Sequence, residues 1–235
     1  MKKLFSLSLA ALMLVASLAL VAQPAQAQGA GLVSSILNKM DRNRRSLSSL
    51  RAALTMQKYN SQIGDSDMSF GEVAYVAGNG RDANVRVDWT KPVRESLAVT
   101  GGQYTLYRPR LGQAYQGSTR NTSNKSGKVN SVLSFAFNMT GSQAKNQFNV
   151  SYEGEGTLEN GGPHVWWLKL TPRGGASYQF AEVWVDDSGM PIQTRVTEKN
   201  GDSTLVRLNN IQRNARVSTD EIKIELPAGT KIVKG

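Results

Sequence analysis

The chain has 235 residues, with 28 Lys and Arg against 18 Asp and Glu, one histidine and no cysteine. A chain of this length buries a core of its own, and the missing thiols exclude disulfide-stapled domains and Cys-ligated metal centres. The formal charge of +10 points to anionic partners such as lipid head groups, lipopolysaccharide or an acidic protein surface.

The opening MKKLFSLSLAALMLVASLALVAQPAQAQ places Lys2 and Lys3 before an apolar run from Leu4 to Ala22, followed by Pro24 and Ala25-Gln26-Ala27. This is the layout of a secretory signal peptide, and cleavage is expected after Ala27. The run approaches the ~18 residues that begin to span a bilayer, but the Ala-x-Ala site favours removal over anchoring. No cysteine follows that site, so the exported chain is not expected to be an acylated lipoprotein. Residues 1–27 are therefore read as a signal peptide and 28–235 as a single periplasmic domain, remote from nucleic acid.

From Leu32 the apolar residues Leu32, Val33, Ile36, Leu37 and Met40 form one stripe of an amphipathic helix running to about Arg45. The period then changes: Leu50, Ala52, Leu54 and Met56 alternate with Arg51, Ala53, Thr55 and Gln57, which predicts a first strand. Further strands are predicted at 68–77, 83–88, 95–100, 103–108, 113–117, 146–152, 165–171, 178–186, 191–199, 203–212 and a short one near Lys223. TGGQ, DDSG and KNGD carry Gly where hairpin turns need positive φ. Such short connections imply sequential antiparallel pairing, hence a single meander. At that strand count it curls into a barrel or half-barrel. One segment departs from the pattern: in GKVNSVLSFAFNMTGSQAKNQ, Val129, Val132, Leu133, Ala136 and Phe137 have helical spacing. It predicts one or two short helices, with Gly141 or Ser142 near their junction.

Reactive chemistry is sparse. The single histidine, His164, has no GxSxG elbow to serve. Asp186-Asp187-Ser188-Gly189 lacks the spaced acceptors of a calcium loop and is read as a turn, while Glu153 and Glu155 lie among glycines in a solvated stretch. No catalytic, metal or cofactor site is assigned, and the chain is read as a non-enzyme. The stretch HVWWLKLTP is more informative. Its alternation puts Trp166, Leu168 and Leu170 on one face and Val165, Trp167, Lys169 and Thr171 on the other, so both faces carry an indole. A second packed layer, a ligand in a cavity, or a membrane or protein partner are the possible receivers of the second one.

Trp89, Tyr104, Leu106, Tyr107, Trp166, Trp167, Phe180 and Trp184 together exceed what a sheet with one solvated face requires. A sheet enclosing an apolar cavity accounts for the surplus. Acyl chains suit such a lining, since each buried methylene contributes about 0.8 kcal/mol without directional contacts. The candidate lipid-contacting residues are Leu54, Met56, Val87, Trp89, Leu97, Leu106, Leu133, Phe135, Phe137, Trp166, Leu168, Leu170 and Phe180. Strand phase alone does not say which face lines the cavity.

The order of pieces resembles the outer-membrane lipoprotein carrier (LolA-like) family. The resemblance rests on the leading helix, GEVAYV, VRVDW, TKPVRESLAVTGGQYTLYRP, WWLKLTPRG, DDSGMPIQ and the closing IKIELPAGTKIV. It implies a mainly β fold, an unclosed barrel with short helices as a lid over an apolar cavity. It also implies a monomeric periplasmic chaperone that takes lipoprotein acyl chains from an inner-membrane ABC exporter to an outer-membrane acceptor. In the family an Arg-Pro pair precedes the aromatic strand and its arginine helps hold the lid. Here the region reads AGNGRDANVRVDW, and Arg81 or Arg86 is the candidate substitute. An RseB-like envelope lipid sensor and a non-transporting binding or scaffold module are the alternative functions for the same fold.

Overall fold

A computed structural model describes residues 25–78, 83–119 and 139–234. Helix α1, Ala25–Ser46, begins earlier than the apolar stripe predicts, so the expected cleavage point lies in its first turn; Arg44 and Arg45 sit in its last turn, where they oppose the negative end of the helix dipole. Six strands follow: β1 Ser49–Asn60, β2 Asp65–Ala77, β3 Ala83–Lys91, β4 Glu95–Thr100, β5 Gln103–Arg108 and β6 Gln113–Ser118. A short helix, α2 (Gly141–Gln147), precedes β7 Phe148–Thr157, β8 His164–Pro172, β9 Tyr178–Asp186, β10 Pro191–Glu198 and β11 Ser203–Arg213. The chain closes with α3 (Thr219–Ile222) and β12 (Lys231–Lys234).

All twelve strands form one unclosed sheet in the order β12-β6-β5-β4-β3-β2-β1-β11-β10-β9-β8-β7. It is mainly antiparallel, as expected, but it is two meanders rather than one. Short connections force neighbours to pair within β1–β6 and within β7–β11, whereas the long connection after β6 lets β7 start at the opposite edge. The two meanders join along β1 and β11, where Leu54 faces Leu208 and Met56 faces Val206. A second correction concerns the segment near Lys223, which is no strand. Ser218 and Glu221 form a capping box that starts α3, and the last strand, β12, instead runs parallel to β6.

The pairing registers put the alternating apolar residues on a common face. Leu54, Val73, Val87, Leu97 and Leu106 from the first meander share it with Leu168, Leu170, Val183, Val196 and Val206 from the second. Ile36, Leu37 and Met40 of α1 complete the core against it. Docking of α1 demands close approach at two glycines. A Cβ on Gly189, in the β9–β10 turn at φ +87°, would collide with the Lys39 carbonyl oxygen; one on Gly141 would lie 3.0 Å from that of Leu37. The Gly141 amide donates to Asp41 Oδ1 at 2.7 Å, and Asn43 Nδ2 donates to Met190 Sδ at 3.3 Å, tying α2 and the β9–β10 turn to the helix.

The other face of the first meander is clad by the C-terminal segment. Ile222 is fully buried, Arg86 Nη1 donates to the carbonyls of Glu221 (3.1 Å) and Lys223 (2.8 Å), and Arg51 pairs with Glu221. A hydrogen bond from the Ser218 backbone N–H, then the Arg51 guanidinium, hold the Glu221 carboxyl below its ordinary value of 4.5. Its contribution is therefore complete above about pH 4.5 and is lost as pH falls through the depressed folded value. The NMR shift of the Ser218 amide should follow this titration with a midpoint below 4.5 and become insensitive in Glu221→Gln. A midpoint at or above the ordinary value would refute this reading of the anchor.

Candidate functional site

The apolar face is not covered evenly. Across β3–β6 it carries successive rows: Val87, Leu97, Leu106 and Tyr115, then, one step toward the β3–β4 turn, Trp89, Glu95 and Arg108. Where the rows turn from apolar to charged, a cavity of about 230 Å³ opens. Its walls are Met56, Lys58, Ser69, Trp89, Pro92, Val93, Glu95, Leu97, Leu106 and Arg108. For scale, a dry apolar cavity of ~150 Å³ already accepts benzene. Among the described residues no side chain of α1 lines this space, because α1 sits over the second meander, with Lys39 Nζ 4.0 Å above the Trp166 ring.

Charge is confined to the mouth. Arg108 Nε lies 3.0 Å from Glu95 Oε1, and both side chains are about 30% exposed. A second opening of about 250 Å³ adjoins, sharing Val93, Glu95 and Arg108 and adding Arg94, Arg110 and Leu111. Trp89 is 8% exposed, and its indole N–H finds no acceptor among the described residues. Such a buried donor ordinarily has a partner. A larger groove of about 540 Å³ lies between the β7–β8 turn, the β9–β10 turn and the end of β11. Its charges are already matched, Arg213 to Asp186 at 2.6 Å and Arg207 to Glu159 at 3.9 Å, which makes it a poor host for an acyl chain. His164 meets Asp187 at 3.0 Å and Glu155 at 3.7 Å at the surface, and the described residues hold no His/Cys/Asp/Glu group arranged for a metal.

The family model for the outer membrane lipoprotein carrier protein LolA matches residues 80–225, more than half of the chain. The chain belongs to the LolA family. No curated relative matches the sequence. Solved structures similar to this LolA-family chain include MucB, with a TM-score of 0.57 at 16% identity, covering 86% of this chain and 66% of MucB. An uncharacterized conserved protein from Thermus thermophilus gives 0.53 at 16% identity, with 86% and 98% covered. The MucA/MucB complex of Pseudomonas aeruginosa gives 0.50 at 15% identity, with 82% and 61% covered. The LolA-family chain thus spans about two thirds or less of the MucB chains it matches. At these identities the likeness concerns the fold, a sheet of the same kind.

Within this LolA-family sheet, the sequence-predicted contact residues divide into groups. Met56, Trp89, Leu97 and Leu106 line the cavity together. Leu54, Val87, Leu168 and Leu170 lie on the same face and are buried in the core, but they do not line this cavity. Trp166 is half-buried beside α1, beneath Lys39. Phe180 must be corrected: it shares a face with Glu182 and Trp184, opposite Ala181 and Val183, and its ring carries Lys169 Nζ at 4.1 Å. Arg86 is corrected likewise, since it anchors the C-terminal segment on the far side of β3 and so cannot latch anything over the apolar face. Arg81, Leu133, Phe135 and Phe137 lie outside the described residues.

Within the described residues the second indole of HVWWLKLTP is received by a neighbouring strand. Trp167 stacks on Trp184 across β8 and β9, with centroids 5.5 Å apart, and Arg195 lies 5.4 Å over Trp184. Much of the aromatic surplus is therefore cation-capped cladding of the second face. The mouth residues Lys58, Glu95, Arg94, Arg108 and Arg110 were not singled out from sequence. One signal was available: Glu95 shares the phase of Leu97, and Arg108 that of Leu106, so each charge marks where an inward row ends.

Proposed function

We propose that this chain is an exported periplasmic chaperone that binds the acyl chains of lipoproteins in the cavity framed by β1–β5 and ferries them between membranes. The inner-membrane ABC exporter and outer-membrane acceptor expected of such a carrier are its partners in this reading. The observation that carries it is the apolar pocket of Met56, Trp89, Leu97 and Leu106, left uncovered by α1 within a LolA-family sheet. Burying each methylene there contributes about 0.8 kcal/mol. No helix among the described residues is long and apolar enough to cross a membrane.

Native mass spectrometry of the protein isolated from envelope fractions tests the reading. A bound lipopeptide supports carriage. Protein free of any acyl compound, in a preparation that accepts none on addition, would refute it. A second reading is an RseB-like sensor, favoured by the likeness to MucB, whose structure is known in complex with MucA. It expects a stable complex with an envelope protein that forms or dissolves when lipid is added, and no net movement of lipopeptide between inner- and outer-membrane vesicles.

A further inference from the structure

The acyl reading leaves the charged mouth unexplained. Lys58 and Arg108 stand in the cavity wall, and Arg94 and Arg110 line the adjoining opening, against a single carboxylate, Glu95, at the same place. Glu95 is occupied by Arg108. Among the described residues no ion pair joins Lys58, Arg94 or Arg110 to a carboxylate, and all three are exposed. Just inside, Trp89 stands opposite Glu95 in the β3–β4 register, and its buried N–H has no partner among the described residues. A chain of features thus runs from apolar wall, to a lone donor, to an excess of positive charge.

From this arrangement, and resting on the acyl-binding reading above, we infer that the preferred cargo is an anionic amphiphile: its chain enters the pocket beside Leu97 and Leu106, and its phosphate or carboxylate head is held at Arg94, Arg108 and Arg110. The Trp89 N–H donates to an oxygen at the junction of head and chain. Exposed cations hold a small free anion weakly because water and salt screen them. A head tethered to a buried chain instead meets them at high effective concentration. A cationic head would meet the unpaired charges of Lys58, Arg94 and Arg110. The head therefore selects, while the chain supplies most of the affinity.

The test compares dodecyl phosphate, dodecan-1-ol and dodecyltrimethylammonium as displacers of the neutral fluorophore N-phenyl-1-naphthylamine, with inorganic phosphate titrated calorimetrically alongside. Dodecyl phosphate is expected to displace the probe at a concentration at least tenfold lower than the alcohol, the trimethylammonium compound to be the weakest, and inorganic phosphate to give no heat. The exposed pair Arg94→Gln/Arg110→Gln should bring the phosphate to within about threefold of the alcohol without changing the alcohol itself. Trp89→Phe, which keeps an aromatic ring and deletes the N–H, should also narrow the gap. Equal potency of the three compounds, a gap that persists in the double variant, or binding of inorganic phosphate alone would overturn the head-group assignment while leaving acyl binding intact. Failure of every dodecyl compound to displace the probe would overturn both.

Discussion

Replacing Leu106 by Asp is expected to weaken binding of a neutral acyl probe about 100-fold while the protein stays folded. Leu106 is half-buried in the cavity wall, between Leu97 and Tyr115 in the strand registers. A carboxylate there removes apolar contact for some three to four methylenes, about 2.4–3.2 kcal/mol, and each 1.4 kcal/mol is tenfold in affinity. Position decides why Leu106 and not Leu168 is the informative site. Leu168 has no exposure at all, and truncating such a residue to Ala typically costs about 2–5 kcal/mol of stability, so lost binding there would report unfolding. Phe180→Asp, on the opposite face, is the matched control and should leave the affinity unchanged. Probe titration with circular dichroism on each variant measures both effects. Wild-type affinity in folded Leu106→Asp would remove the cavity from consideration.

The second large effect concerns stability and the face opposite the acyl cavity. Glu182 is 4% exposed, and Arg195 meets it with two bonds, Nε to Oε2 at 2.5 Å and Nη2 to Oε1 at 2.9 Å. Arg195→Ala strands that carboxylate and also uncovers Trp184. Breaking a buried pair from one side typically costs about 3–5 kcal/mol; the Arg195 side chain is 36% exposed, so about 2–3 kcal/mol is expected here. For a domain of this size that lowers Tm by roughly 4–12 °C. Removing both charges, as Glu182→Leu with Arg195→Met, should recover most of the loss, because no group is then left buried and unpaired. Urea denaturation of the single and double variants distinguishes this from generic loss of packing: a double variant no more stable than Arg195→Ala would assign the effect to packing.

The two cases mark how far local pattern reaches. Alternation at Leu50–Met56 and at Trp166–Leu170, with Gly-bearing turns between strands, is a property of adjacent residues, so strand positions and the division of each strand into two sides were legible. In YQFAEVWVD the same alternation separates Ala181, Val183 and Val185 from Phe180, Glu182 and Trp184, but it does not say which set turns inward. Side-chain size favours Phe180 as an inward residue. The fold turns the small aliphatic set inward, where strands and helix pack closely, and leaves the rings outward where Lys169 and Arg195 cap them. The capping box at Ser218–Glu221 is equally local, but the alternating IKIEL beside it carries the stronger signal, that of a strand.

By itself, then, the amino-acid sequence determined a mainly β domain with one amphipathic leading helix, an apolar side to nearly every strand, and an order of segments characteristic of the LolA family. Those properties follow from neighbours along the chain and from turn chemistry. Tertiary structure alone decided that two meanders meet along β1 and β11, that α1 docks over the second and lines no part of the β1–β5 cavity, and that Lys58, Arg94, Arg108 and Arg110 gather at one mouth. Each of these depends on which distant segments pair, and that choice is made by the summed burial and hydrogen bonding of the whole sheet, to which no short stretch contributes more than a small part.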